Sequence, residues 1–246
     1  MWATVAEFQA HGYAVPQFYG KWPFSSISFA VGPLVFLVQE PASTLFSLFN
    51  LCGCLWLWNE LQTRLPEGAP LRRVWVGYSL VGIGAWICSM VFHSRDFWLT
   101  EYFDYFAAGA LIFYAFFASL MVTIPALQRR TEPIAGRVRR HLLPSTFGTF
   151  CCIGLSVLTA GIYVAWALQE WYRGDYRPSI NTLLLTIGIG LGAAVFEVFD
   201  FAPVFFWSVD AHSLFHLATV PTPILLGRFA LEEAAHRRKG LLGKEA

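Results

Sequence analysis

Six stretches of this chain stay apolar for about the 20 residues that an α-helix needs to cross a bilayer. They are Pro41–Trp58, Val74–Phe92, Tyr102–Ile124, Leu142–Gln169, Ile180–Phe199 and Ala211–Leu231. Backbone in hydrocarbon has no water to bond, so such segments must satisfy themselves as helices. Composition agrees: 56% of the 246 residues are hydrophobic and 13% charged, against about 25% charged in a soluble domain. The predicted fold class is therefore all-α, a polytopic transmembrane helical bundle with six clear spans. A net charge of +1 implies no basic surface for nucleic acid. Cys52, Cys54, Cys88, Cys151 and Cys152 all lie inside apolar stretches; they read as small core hydrophobes, not as a disulfide framework.

Residues 1–38 read as a luminal or interfacial segment, 39–232 as the bundle, and 233–246 as a basic cytosolic tail. Residues 1–20 show no signal-peptide pattern, so insertion rests on the first span or on a start further upstream. Phe24–Val38 is apolar but interrupted by Gly32-Pro33, and reads as an interfacial or re-entrant approach to the first span. Gly188, Gly190 and Gly192 suit close helix packing in the fifth. Arginine and lysine concentrate in 59–73, 125–141 and the tail, which places those segments in the cytosol and the 94–101 and 200–210 stretches on the other side. Between 125–141 and 200–210 an odd number of crossings is then required, but only two apolar stretches lie there. Either Leu142–Gln169 does not cross simply or one helix is lacking. Arg173 and Arg177 lean the 170–179 loop toward the cytosol.

Polar groups at membrane depth are costly and mark functional candidates. Ser89 and His93 stand four apart at the end of the second span, Asp104 opens the third, and His212 and His216, again four apart, open the last. All five fall near the same, non-cytosolic edge. Three histidines, two of them on one helix face, suit a Zn2+ site with an open fourth position. Zinc would make water a nucleophile near neutral pH. Asp104 would move the proton, and Ser89 would donate to the metal site or to an oxyanion. The pattern describes hydrolysis of an acyl bond at the lipid interface. The competing reading is ordinary interfacial histidines; His11, His141 and His236 lie in loops or tails and are given no role.

At these residues a family resemblance becomes specific. FYGKWPF (18–24), QEPASTLFSLFN (39–50), VFHSRDFWLTEYFDY (91–105) and EVFDFAPVFFWSVDAHSLFHLATVP (197–221) resemble the Per-like family of post-GPI-attachment lipid-remodelling proteins. That family is placed in the CREST superfamily of seven-helix membrane hydrolases, whose S-x-x-x-H, Asp, H-x-x-x-H pattern matches Ser89, His93, Asp104, His212 and His216. The resemblance implies Zn2+ on the three histidines and a GPI-specific phospholipase A(2). Such an enzyme removes the sn-2 fatty acid from GPI-anchored proteins at a site facing the lumen of the endoplasmic reticulum or Golgi, with membrane lipids as its surroundings. The middle, 125–195, matches poorly. The family's signal peptide, cysteine-rich luminal segment and seventh helix have no counterpart in this sequence, as in a truncated isoform or a faulty gene model. A ceramidase-like amidase of the same superfamily and a non-catalytic zinc-containing GPI-anchor chaperone or receptor are the rival functions.

Glu40, Ser43, Ser47 and Asn50 lie along one face of the first span. They read as a polar packing seam, and Glu40 resembles an acidic residue that supports a luminal structural site. Asp200 and Asp210 flank the last luminal loop. Asp210 reads first as the N-cap of the final helix, and either is a candidate to orient a zinc-bound histidine.

Overall fold

The first spanning helix starts where the sequence gives it a start: Glu40 stands at the N-cap and Pro41 occupies the first turn, where its missing N–H costs nothing. The structure, a computed structural model, describes residues 2–18, 21–124, 126–127 and 145–242. A short helix α1 (Trp2–Ala10) and a hairpin of β1 (Ile27–Val31) and β2 (Leu34–Val38) precede the bundle. The bundle consists of α2 (Pro41–Arg64), α3 (Arg72–Ser94), α4 (Trp98–Thr123), α5 (Ser145–Tyr172), α6 (Pro178–Val198), α7 (Ala211–Thr219) and α8 (Thr222–Leu242). Among the described residues, six helical segments are long and apolar enough to cross a membrane, with α7 and α8 together making the last. The chain is an integral membrane protein built as an all-α bundle.

Two expected segments take a different form. Within Phe24–Val38, read as an interfacial or re-entrant approach, residues 27–38 form an antiparallel hairpin, with Ile27 opposite Val38 and Val31 opposite Leu34. Its β-branched and aromatic residues favour strand, and Gly32, at φ +60°, supplies the glycine-first turn of a tight two-residue loop. Ala211–Leu231 is not one continuous helix. Pro221 has no N–H to extend the ladder, and Val220 N–H donates instead to Leu217 O at 3.2 Å.

The direction of each helix follows from the core at one end. Leu57 and Leu61 of α2, Trp75 of α3, Val122 of α4, Tyr163 and Trp166 of α5, Ile180 and Leu183 of α6 and Phe229 of α8 form one buried cluster. A charged network closes that end: Glu233, 1% exposed, takes Arg177 Nη2 at 2.8 Å and Arg237 Nε at 2.8 Å. Arg177 Nη1 also reaches Glu170 Oε2 at 2.7 Å, and Arg237 Nη2 donates to Val122 O at 2.7 Å. Burial works against the charge on Arg177, yet its hydrogen bonds to Glu233 and Glu170 hold its guanidinium pKa above the ordinary value. Helices α4 and α5 both end at this network, so they run the same way. Leu142–Gln169 is thus accounted for by the single helix α5. The arginines from Arg129 to Arg140, expected to set topology, lie outside the described residues.

Close helix contact is made elsewhere than expected. A Cβ on Gly53 would lie 2.7 Å from Pro223 Cγ, and one on Gly227 would lie 3.0 Å from Leu57 and Trp56, so α2 and α8 approach through small residues. Gly188, Gly190 and Gly192 face open space.

Candidate metal centre

The opposite end of the bundle gathers the polar residues. His93 closes α3, and His212 and His216 share one face of α7. The three present ring nitrogens within 4.8 Å of one another. His93 is 2% and His216 3% exposed, whereas His212 is partly open.

Hydrogen-bond accounting fixes which nitrogens are free. His93 Nδ1 lies 2.6 Å from Glu40 Oε2, and His212 Nδ1 lies 3.0 Å from Glu197 Oε2. A carboxylate only accepts, so each Nδ1 carries the proton. Ser47 Oγ donates to Ser43 O at 2.7 Å and lies 2.9 Å from His216 Nδ1. Its single proton is spent, so its oxygen accepts from His216 as well, and Ser89 Oγ, 3.1 Å away, donates to it. In neutral imidazoles the three Nε2 atoms therefore carry lone pairs. His212 Nε2 and His216 Nε2 stand 2.9 Å apart, and His93 Nε2 is buried with no partner.

Three converging lone pairs without a donor are repulsive unless a cation lies among them. One proton serves one pair of nitrogens and leaves His93 unsatisfied; a metal ion serves all three. Tetrahedral zinc with bonds of about 2.0–2.1 Å places its ligands about 3.3 Å apart, within the spread seen here. Each ring also carries the second hydrogen bond that metal-ligating histidines typically make. The donor set fits Zn2+.

The main chain holds the ligands as firmly as the side chains do. Gln39 N–H donates to Ser94 O at 3.1 Å and Glu40 N–H to His93 O at 3.0 Å, satisfying carbonyls that the end of α3 leaves open. Beyond His216, Val220 N–H turns to Leu217 O, and His216 O accepts instead from Asn50 Nδ2 at 2.7 Å and Thr219 Oγ1 at 2.9 Å. Asp210 caps α7, accepting from Ser213 N–H at 2.8 Å. Trp86 packs its edge against the His216 ring with centroids 5.4 Å apart.

Asp104 is half-buried in the first turns of α4, within electrostatic reach of His93, His212, Glu40 and Glu197. Ser43 Oγ and Asn50 Oδ1 are buried without partners on the same face of α2. Of the two aspartates proposed to orient histidines, neither hydrogen-bonds one among the described residues, and Asp210 acts on His212 through its charge alone. Asp200 instead accepts from Gln17 Nε2 at 2.8 Å and Trp22 Nε1 at 2.9 Å, tying the N-terminal segment to the loop before α7. Lys21 does the same on the other side through Asp96.

A family model described as the Per1-like family matches residues 1–234. The chain belongs to that family. A Danio rerio relative named GPI-specific phospholipase A2-like PGAP3 is 34% identical over 250 residues, 96% of this chain and 75% of the relative. The Homo sapiens protein of the same name is 29% identical over 252 residues, 97% and 75% of the two chains. Post-GPI attachment to proteins factor 3 from Drosophila melanogaster is 30% identical over 233 residues, 90% and 68%. No solved structure matches.

Glu197 joins this Per1-like site from outside the residues expected there, although a carboxylate inside the apolar run GLGAAVFEVF carries the same signal as the intramembrane histidines. Its partner, 15 residues on, becomes visible only when α6 and α7 fold back on each other.

Proposed function

We propose that the chain is a zinc-dependent acyl-ester hydrolase that removes the sn-2 fatty acid from GPI anchors during their remodelling. The observation that carries the reading is the convergence of three Nε2 atoms whose Nδ1 partners all face acceptors. The names of the relatives, GPI-specific phospholipase A2-like PGAP3 and post-GPI attachment to proteins factor 3, supply the substrate class. His93, His212 and His216 would hold the ion, which when bound supplies Lewis acidity and lets water act as a nucleophile near neutral pH. The chain's own residues then have separate tasks. Asp104 accepts the proton of the attacking water and returns it to the sn-2 oxygen as its bond to the acyl carbon breaks. Ser89 turns its hydroxyl from Ser47 to the oxyanion of the tetrahedral intermediate. Glu40, Glu197 and Ser47 keep each imidazole in the tautomer that offers Nε2.

The same reading places the site at the luminal side of an endoplasmic reticulum or Golgi membrane, because the arginine-rich end with Arg177 and Arg237 is the opposite one. Residues 1–38 then form a luminal cover and 233–246 a cytosolic tail. In cells lacking the protein, GPI anchors should retain unsaturated fatty acid; wild type should restore remodelling, and His212→Ala and Asp104→Asn should not. Full rescue by both variants would leave a non-catalytic chaperone as the function. Loss of remodelling together with ceramide hydrolysis by the purified protein would assign the amidase.

A further inference from the structure

The hairpin does more than precede the bundle. Its strands expose apolar side chains on both faces, including Phe29, Val35 and Phe36, where a soluble sheet would alternate apolar with polar. Between the hairpin and the bundle lies an open groove of about 250 Å³. Ile27, Phe29 and Val38 form one wall, and Leu45 and Leu48 of α2 with Met90 of α3 form the other. The one hydroxyl on its lining, Thr44 Oγ1, is spent on Glu40 O at 2.9 Å. Nothing in the groove recognises a polar group; its chemistry matches hydrocarbon alone.

Its position ties it to the metal centre. Pro41 and Thr44 follow Glu40 and Ser43 in sequence, and Met90 follows Ser89, so the groove and the centre occupy neighbouring faces of the same two helix ends. The outer wall is not loosely placed, since β2 runs directly into the Gln39 and Glu40 bonds to the end of α3. Leu45 and Leu48 are exposed on a membrane-spanning helix, so the groove is continuous with the surface that faces lipid tails. Resting on the hydrolase reading above, we infer that this groove seats the sn-2 acyl chain of the substrate lipid while its ester reaches the histidines.

The test uses the full chain in phosphatidylcholine nanodiscs, with phosphatidylinositol carrying a diazirine in its sn-2 chain as the probe. A phosphatidylcholine with the same labelled chain reports bulk lipid. Irradiated adducts on Phe29, Leu45 and Leu48 should exceed those from the phosphatidylcholine probe, and should persist in His212→Ala, which needs no turnover to bind. Leu48→Trp fills the groove from an exposed position; excluding about two methylenes weakens the labelling about tenfold. Leu45→Trp is the second filling variant, and a monodisperse elution profile identifies folded protein. Equal labelling by both probes, or adducts that Leu48→Trp and Leu45→Trp leave unchanged, overturns the inference. Labelled groove without any acyl release by wild type would instead overturn the hydrolase reading and leave the groove standing.

Discussion

Glu40 and His93 are joined twice: the carboxylate takes the ring N–H at 2.6 Å, and the Glu40 backbone N–H donates to the His93 carbonyl at 3.0 Å. The residue that starts α2 thus fixes both the ring and the backbone of the residue that ends α3. A ligand held at two points keeps its tautomer and its direction without needing the metal to impose them, which is the arrangement that lowers the reorganisation on binding.

Glu197 does for His212 what Glu40 does for His93, but from an exposed position and through one bond. Glu197→Ala should lower zinc affinity by about 10–100-fold, read by competition with a chromophoric chelator. Glu197→Gln, which keeps an acceptor oxygen, should fall between the two. Affinity equal to wild type in Glu197→Ala would show that His212 needs no support.

Ser47 links three groups through one oxygen. Ser47→Ala leaves the buried His216 Nδ1–H without an acceptor, at a cost of about 1–3 kcal/mol, and frees the Ser89 hydroxyl. Thermal unfolding in detergent should show the loss together with reduced metal content. A normal metal content would mean that His216 finds another acceptor.

The far end should behave independently. Glu233→Ala removes the buried carboxylate that Arg177 and Arg237 share, leaving Arg177 only its bonds to Glu170 and Asp175 and Arg237 only the Val122 carbonyl, and losing one partner of a buried ion pair costs up to about 3–5 kcal/mol. The melting temperature should drop while zinc bound per folded molecule stays at the wild-type value. A parallel loss of zinc affinity would show that the two ends are coupled.

Helix contact through small residues gives a matched pair of variants. Gly53→Leu drives a side chain into Pro223 beside the α7–α8 break, and overpacking of this kind costs about 1–3 kcal/mol. Gly190→Leu adds the same side chain into open space and should leave the melting temperature near wild type. Equal effects of the two would contradict the α2–α8 contact.

Much of the site was legible because charge is scarce in this chain. A histidine or carboxylate in an apolar run stands out, and the spacing of His212 and His216 places them on one helix face whatever surrounds it. The same signal is present at Glu197, which holds His212, and at Asp200, which binds Gln17 and Trp22 instead. Sequence spacing cannot rank these two acids, because the choice depends on where α6 ends relative to α7. The hairpin was hidden for another reason: an apolar run broken by Gly32-Pro33 has no period that separates strand from re-entrant helix. The glycines of α6 misled because a small residue permits close approach but does not create a neighbour.

By itself the amino-acid sequence determined that this chain is a helical membrane bundle and that three histidines share one edge of it, since hydrophobic length and local helical spacing do not depend on the rest of the fold. Only the tertiary structure decided which acceptors take the Nδ1 protons, that α4 and α5 run parallel, and that Asn50 of α2 donates to the His216 carbonyl. Those features arise between segments far apart in the chain. The donors and acceptors that remain unpaired at helix ends are satisfied by whichever neighbours the packing brings within reach.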